Sequence, residues 1–344
     1  MAYTTCDGRS PQCPMYGHVA PRAQVKRHAW PRQGPRVRCE RCGGIVSATT
    51  GTAYAGIRTD LTTYLRSATA LAEGVSRRAT GRLWGVDNDT AHQGRPVLGQ
   101  HGQRVRHDCF RNLPLHECPG DEWWTCIHTQ EDHLTSREKL AEVAGDAWVW
   151  MAFSPVCQVV PAWVVGKRTW LQARRRLVRL KSATDGPRPF LTRDALPPDA
   201  DALLEVYGVG GTPPRQGTRG RWPKPRRYPP PDLCDAVVVQ ARAHRGVVQV
   251  TIRRVYGITV QVEAALRAAP VSRLIKPSGV ERNHLTLHQH TRRMGCQVHA
   301  CSKEPDGLEH PRTLAFAYDH FGVPHRGRRQ RLAGPLPTTG DKGS

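Results

Sequence analysis

Two acidic residues open the stretch of this sequence whose residue types could do chemistry. Asp121 and Glu122 precede the apolar, aromatic and β-branched run 123–127, which is typical of a buried strand. Because successive side chains of a strand point to opposite faces, the two carboxylates cannot share one site, and we expect Glu122 to point away from it. A carboxylate at the end of a core strand is costly to bury unless a positive charge meets it, and a divalent metal ion often does. The alternative is a strand that begins at the surface with two solvated acids.

Two further acids stand at the ends of predicted elements. Residues 189–192 are predicted to form a short strand that leads into Asp194, and residues 279–290 a helix with Glu281 near its start. With Asp121, these residues form a candidate acidic triad. Three hard oxygen ligands suit Mg²⁺ or Mn²⁺ better than zinc.

The elements around these acids are predicted to form a strand-rich core with helices. Strand-like runs cover 121–127, 145–153, 159–165, 189–192, 236–239 and 247–252, and helical patterns cover 170–180 and 202–206. Asp146, at the start of the second run, is interpreted as a turn-capping residue outside the triad. Three histidines of the late helix, His284, His288 and His290, are predicted to form a polar stripe that faces DNA or solvent.

The charge of the chain indicates a polyanionic partner. The 344 residues carry a formal net charge of +22, which favours nucleic acid first and an anionic membrane second. The most apolar stretch, 147–165, is interrupted by Ser154, Pro155 and Pro161, so we expect two buried strands there and no membrane span. No apolar run follows the first residues, so no signal peptide is expected, and the cysteines are predicted to bind metal before forming disulfides.

Four cysteines near the N-terminus have the spacing of a zinc site: Cys6, Cys13, Cys39 and Cys42. The last two form a Cys-x2-Cys turn followed by two glycines, a shape that lets thiolates and backbone N–H groups close on one ion. Basic residues lie between the pairs, so residues 1–56 are predicted to be a zinc-ribbon-like DNA-binding module. The alternative is that only Cys39 and Cys42 matter, and His18 and His28 are possible substitute ligands.

Residues 57–112 carry the pattern of a helix-turn-helix-like region. A helical repeat from Leu61 ends near Gly74, and Ser76 is predicted to be the N-cap of a second helix. A third helix should begin after Asp87 or Asp89, but Pro96 and several glycines predict that it is short or broken. The alternative is a plain helical spacer.

Further basic residues are candidates for DNA contact. A Pro/Gly-rich basic insert spans 209–231 within a predicted catalytic domain, 113–328, and a disordered basic tail is expected over 329–344. The candidate DNA-binding residues of the second helix and the insert are Arg77, Arg78, Arg82, Arg221, Lys224, Arg226 and Arg227.

The sequence resembles the IS-one-type insertion-sequence transposases of the DDE class. The likeness runs in order from about Cys6 to about His325, and the helix 280–287, Val-Glu-Arg-Asn-His-Leu-Thr-Leu, makes it specific. The residues that carry it are 121–124, 145–148, 163–169, 191–194, 228–233, 280–287 and 318–321. The fold implied is a multi-domain α/β chain with an N-terminal zinc ribbon, helix-turn-helix-like helices and a ribonuclease-H-like mixed sheet flanked by helices.

The activity implied by this resemblance is DNA transposition. Asp121, Asp194 and Glu281 would hold two Mg²⁺ or Mn²⁺ ions, of which one activates water or a 3′-hydroxyl and the other stabilises the leaving oxygen. Contacts to DNA phosphates near the cut are implied for Arg282, Arg292 and Arg293. The expected partners are the element ends and target DNA, bound by a homo-oligomer in the cytoplasm of a bacterium, at the nucleoid.

The sequence departs from the family pattern in two places near the late helix. His288 stands where the family usually carries a basic residue, and residues 294–311 lack the apolar periodicity of a closing helix. The alternative function is therefore a catalytically impaired relative that only binds DNA. A third candidate function is that of a zinc-ribbon transcription regulator, which would not require acids on core strands.

Overall fold

The computed structural model describes residues 13, 25–29, 36–47, 49–141, 144–184, 188–194, 196–215, 222–243, 246–268, 283–287, 290, 302–303 and 305–323. The chain divides into two compact units, Met1–Gly102 and Gln103–Ser344. The predicted tail, 329–344, lies outside the described residues. None of the helices in the described part combines the length and the apolar character that crossing a bilayer requires.

The first unit begins with a three-stranded antiparallel sheet and continues with helices. The strands are β1 (Val25–Ala29), β2 (Arg36–Cys39) and β3 (Ile45–Ser47), in that spatial order. The helices α1 (Leu61–Ala72) and α2 (Arg77–Trp84) follow. Ser76 is confirmed as the N-cap of α2, since its hydroxyl accepts a hydrogen bond from the backbone N–H of Ala79 at 3.2 Å, and Gly85 ends the helix with φ 64°.

The next helix, α3 (Asn88–Cys109), is 22 residues long, so the prediction of a short or broken third helix is wrong. Pro96 lies inside the helix and lacks an N–H to donate, which removes one backbone hydrogen bond without ending the helix. Ala91, Gly94, Gly99 and Gly102 are buried. Small residues at near-helical spacing therefore make up the buried face of α3. Their weak apolar signal explains why the sequence shows little apolar periodicity there.

The second unit is built on a mixed six-stranded sheet. Its strands are β4 (Glu117–Ile127), β5 (Gly145–Ser154), β6 (Val159–Gly166), β7 (Phe190–Asp194), β10 (Asp235–Ala243) and β11 (Gly246–Tyr256). The spatial order is β6-β5-β4-β7-β10-β11. β4, β5 and β6 form an antiparallel meander, β7 runs parallel to both β4 and β10, and β11 returns antiparallel. The predicted strands are thereby confirmed, with longer bounds.

Helices cover both faces of this sheet. On one face, α5 (Trp170–Ala183) and α6 (Pro197–Tyr207) pack on a core that includes Trp150 and Leu191. On the other face, the helical residues 283–287 (α8) and α9 (Pro305–Ala317) pack on a core that includes Met151 and Trp163. Burial on both faces explains why β5 and β6 are almost continuously apolar.

The helix α9 corrects a second expectation. Residues 294–311 were predicted to lack the pattern of a closing helix, but a helix begins at Pro305 and includes Pro311. Proline is tolerated in a first helical turn, because the N–H it lacks has no partner there. The packing of Leu308 and Phe316 against the sheet stabilises the rest of the helix.

Shorter elements complete the second unit. These are the 3₁₀ turn Glu131–His133, α4 (Ser136–Ala141), β8 (Val209–Gly211), β9 (Arg226–Tyr228), α7 (Thr259–Ala268) and the π-helical turn Tyr318–Gly322. β8 and β9 pair with each other in a separate two-stranded sheet.

Candidate functional site

Asp121 and Asp194 lie on one face of the sheet, on neighbouring parallel strands. Pro119 of β4 is paired with Thr192 of β7, and each aspartate stands two residues beyond its member of this pair. Side chains two residues apart on a strand share a face, so both carboxylates point to the face covered by α8 and α9. The register therefore places the two acids at matching positions on adjacent strands, with Asp194 at the end of β7 and Asp121 within β4.

The electrostatics of Asp121 reflect this placement. Burial, as the larger cause, and the charge of Asp194 together raise the pKa of its carboxyl group to about 7. The backbone N–H of Glu122 donates to Oδ1 of Asp121 at 2.8 Å and partly opposes the rise. The half-buried Asp121 and the exposed Asp194 repel each other, and a divalent cation would stabilise this arrangement.

A histidine that was predicted to face DNA or solvent lies beside Asp121. Nδ1 of His284 is 3.5 Å from Oδ2 of Asp121, and only 12% of the histidine side chain is exposed. The imidazole packs edge-on against Trp123, with ring centroids 4.6 Å apart, and its Nε2 is 2.8 Å from the sulfur of Met151. The prediction for His284 is therefore wrong, because its side chain is part of the packed face of the sheet.

Two other acids of these strands stand apart from the pair. Glu122 faces the α5 side, where its Oε1 accepts a hydrogen bond from Arg168 at 2.8 Å, as expected from strand alternation. Asp146 pairs with Cys126, five residues along β4 from Asp121, which is ~17 Å at strand spacing. Its Oδ1 accepts a hydrogen bond from the backbone N–H of Glu131 at 3.1 Å, in agreement with a turn-capping role.

Buried ion pairs on the opposite face hold the strand ends in place. Arg193, next to Asp194, donates two hydrogen bonds to the carboxylate of Asp235, at 3.1 and 2.8 Å. Arg176 donates to Asp199 at 2.9 Å and lies against Gly120. These ion pairs were not predicted from the sequence. The one relevant signal in the sequence is the alternation along 191–194, which places Arg193 and Asp194 on opposite faces of the sheet.

The described residues do not include Glu281, Arg282, Arg292 and Arg293 of the predicted catalytic and DNA-contact sets. The described part of the late helix begins two residues after Glu281, at Asn283. The sequence assigns Glu281 to the triad as its third acid. This assignment stays a prediction.

In the first unit, Cys13, Cys39 and Cys42 form a cluster that could bind a metal such as zinc. Their sulfur atoms lie within 4.8 Å of one another, and those of Cys13 and Cys39 are 3.9 Å apart. Thiolates around a tetrahedral zinc, with Zn–S bonds of ~2.3 Å, are ~3.8 Å apart. Cys6, the predicted fourth ligand, and His18 lie outside the described residues, and the described His28 is not in the cluster.

The turn between β2 and β3 shapes this cluster. The backbone N–H of Cys39 donates to the carbonyl of Gly44, and that of Gly43 donates to the carbonyl of Cys39, both at 2.9 Å. Gly43 has φ +70°, which favours glycine. A backbone hydrogen bond involving Gly44 lowers the pKa of the Cys42 thiol, but the thiols of Cys13 and Cys39 outweigh it and raise that pKa. A bound cation would reverse this balance, because it favours thiolates.

The predicted DNA-contact residues occupy two surfaces. Arg78 and Arg82 of α2 are exposed and Arg77 is half-buried. In the second unit, Lys224, Arg226 and Arg227 are exposed on and before β9, and Arg221 lies outside the described residues.

The chain was compared with models of known protein families and with curated proteins, and neither comparison finds a match.

Proposed function

We propose that this chain is a DNA transposase that cleaves and joins DNA strands with the help of Mg²⁺ or Mn²⁺, and that it acts on the ends of an insertion sequence. The observation that carries the proposal is the convergence of Asp121 and Asp194, close enough for the charge of Asp194 to raise the pKa of Asp121. Oxygen ligands of this kind suit hard divalent cations.

The order of the strands supports a ribonuclease-H-like identity for the sheet. In that fold a three-stranded antiparallel meander is followed by two strands parallel to its first strand, and β4, β5, β6, β7 and β10 follow this order. The first acid of the proposed triad then lies on the first strand and the second at the end of the fourth. The cysteine cluster beside a small antiparallel sheet supports a zinc-ribbon module.

In the proposed mechanism, the three acids would hold two divalent ions, and the surrounding chain would orient the carboxylates. The ions, when bound, would lower the barrier to in-line attack by water or a 3′-hydroxyl on a phosphodiester. Asp121 and Asp194 supply oxygen ligands from a rigid sheet, and Glu281 would supply a third from the late helix. The buried pair Arg193–Asp235 fixes the backbone next to Asp194. Exposed basic residues bind the phosphates of the element ends and of target DNA.

A test of this proposal is nicking of supercoiled plasmid in Mn²⁺. Asp121→Asn and Asp194→Asn are expected to abolish nicking but to keep DNA binding, because the changes remove metal ligands and leave the basic surfaces intact. Asp146→Asn is the matched control. It changes a carboxylate at the start of β5, far from Asp121, and should leave nicking unchanged. Nicking that survives both active-site variants would refute the assignment.

A catalytically impaired, DNA-binding relative is the second candidate. The close approach of His284 to Asp121 favours it, because an imidazole N–H directed at a carboxylate oxygen would compete with a metal ion for that oxygen. Salt-sensitive binding to DNA ends, with no nicking by the unmodified chain in Mg²⁺ or Mn²⁺, would establish this second function instead.

A further inference from the structure

The strands β8 and β9, with the described residues between them, form a separate two-stranded segment that we call the basic arm (residues 209–215 and 222–228). Val209 pairs with Tyr228, and Gly211 with Arg226, in a two-stranded antiparallel ladder. Residues 206–231 contain six lysines and arginines and no aspartate or glutamate. The arm is therefore a strongly cationic segment that belongs to neither face of the large sheet.

An aromatic surface accompanies this charge. The side chain of Trp222 is 70% exposed, the largest exposed fraction among the exposed large apolar residues of the described chain, and Tyr228 is 42% exposed. The guanidinium carbon of Arg215 lies 4.8 Å from the centre of the Trp222 ring. Covering this indole with the flat face of a ligand would remove apolar surface from water, which is favourable.

The basic residues of the arm are also available for a ligand. Lys224, Arg226 and Arg227 are exposed, and within the described part of the chain none of them forms an ion pair with a carboxylate. Arg227 instead donates to the backbone carbonyl of Gly208 at 3.1 Å, which ties β9 to the end of α6. Pro223 and Pro225 fix the backbone between Trp222 and Arg226, so little conformational entropy remains to be lost on binding.

We infer that the basic arm binds an unpaired stretch of a DNA strand, with a base stacked on Trp222 and the backbone phosphates on Lys224, Arg226 and Arg227. Alternating rings and positive charges on an exposed segment match the flat faces and the phosphates of a single strand. In an intact duplex the base faces are already stacked on one another. The phosphates of a duplex can therefore contact the basic residues of the arm, but its bases cannot stack on Trp222. The arm thereby favours DNA whose strands have separated.

This inference rests on the proposed function and deepens it, because it specifies which form of DNA the chain binds. Its test does not depend on cleavage. Binding of the full chain to a labelled oligothymidylate, an oligouridylate and a duplex of equal length would be measured by fluorescence anisotropy without added Mg²⁺ or Mn²⁺. The variants are Trp222→Ala, Trp222→Phe and Trp170→Ala, the last being a control in which a tryptophan 37% exposed on α5 is removed.

Trp222→Ala is expected to weaken binding of oligothymidylate about tenfold and binding of duplex less than about twofold, since stacking of one base is lost. Trp222→Phe should restore most of the affinity, and Trp170→Ala should bind as the parent does. An equal loss for duplex and single strand, or no loss at all, would overturn the inference and leave the arm as a general phosphate or protein contact. Tighter, Trp222-dependent binding of oligouridylate would overturn the assignment to DNA.

Two further measurements separate the possible failures. Replacement of both Lys224 and Arg226 by glutamine should weaken both DNA forms, so it tests the charged part of the arm even if a tryptophan variant folds poorly. Trp222-dependent binding by a chain that never nicks plasmid would refute the proposed function and keep the inference. Nicking by a chain whose binding to single strands does not depend on Trp222 would support the proposed function and refute the inference.

Discussion

Nδ1 of His284 lies 3.5 Å from Oδ2 of Asp121, which brings the late helix to the first strand of the sheet at the candidate site. The contact joins residues 163 positions apart in the sequence, and Trp123 and Met151 hold the imidazole in place. We therefore predict that His284 positions the Asp121 carboxylate, and variants of His284 distinguish this role from competition with a metal ion.

His284→Ala is expected to raise the Mn²⁺ concentration required for half-maximal nicking by about tenfold, because residues that orient a metal ligand typically contribute 10- to 100-fold in affinity. His284→Gln keeps a donor and should recover part of the loss. His290→Ala, which alters an imidazole packed on Tyr318, is the control. A lower Mn²⁺ requirement in His284→Ala would show that the histidine competes with the metal.

The stability of the metal-free chain should depend on pH through Asp121. Its pKa is about 7 in the folded chain against an ordinary value of 3.8, so between these values the folded chain holds a proton that the unfolded chain has lost. The free energy of unfolding therefore falls as the pH rises through this range. At pH 8 Asp121→Asn should be more stable than the parent by at most ~4 kcal/mol, and near pH 4 the two should be alike.

Urea denaturation of both proteins at pH 4, 6 and 8 measures this effect. Added Mg²⁺ should reduce the difference at pH 8, because the ion offsets the charge of the two carboxylates. A difference that is the same at all three pH values would exclude titration of Asp121 as its origin.

Gly120→Ala should destabilise the second unit by ~1–3 kcal/mol, a cost typical of forcing an extra methyl group into a packed site. A Cβ atom there would stand 2.8 Å from a guanidinium nitrogen of Arg176, which is buried in its pair with Asp199 and cannot move away at low cost. Gly210→Ala is the control, since no atom lies within 4 Å of its added Cβ. Equal midpoints of urea denaturation for the two variants would contradict the crowding at Gly120.

The purified chain should contain one zinc ion per molecule. Cys39→Ser combined with Cys42→Ser is expected to release it and to unfold the β1–β3 sheet, because two of three clustered thiolates are lost. Cys109→Ser, which changes an exposed cysteine of α3, should keep the metal. Metal analysis of the parent that finds no zinc would refute the site.

Much of the sheet could be predicted because its signal is local. The apolar run after Asp121 and the alternation along 191–194 are enough to place a strand and to send Asp194 to one face. The side-by-side position of Asp121 and Asp194 then follows from parallel pairing of β4 with β7, which the sequence suggested only through the family resemblance.

Other features depend on contacts that no local pattern reveals. The length of α3 was missed because its buried face is made of alanine and glycine, whose small size permits close packing while their apolar signal is weak. His284 was missed because a histidine on a helix is assigned to solvent by pattern, whereas the direction of its side chain is set by the sheet beneath it.

Arg193 and Asp194 are consecutive residues whose side chains leave the sheet in opposite directions, and the first is clamped to a fully buried carboxylate. A change at Asp235 is therefore expected to shift the Asp194 carboxylate through a single peptide unit, although Asp235 lies on the opposite face of the sheet. Substitutions on the face covered by α5 and α6 are thus expected to reduce the proposed activity. A mutational survey confined to the surroundings of Asp121 would not include these residues.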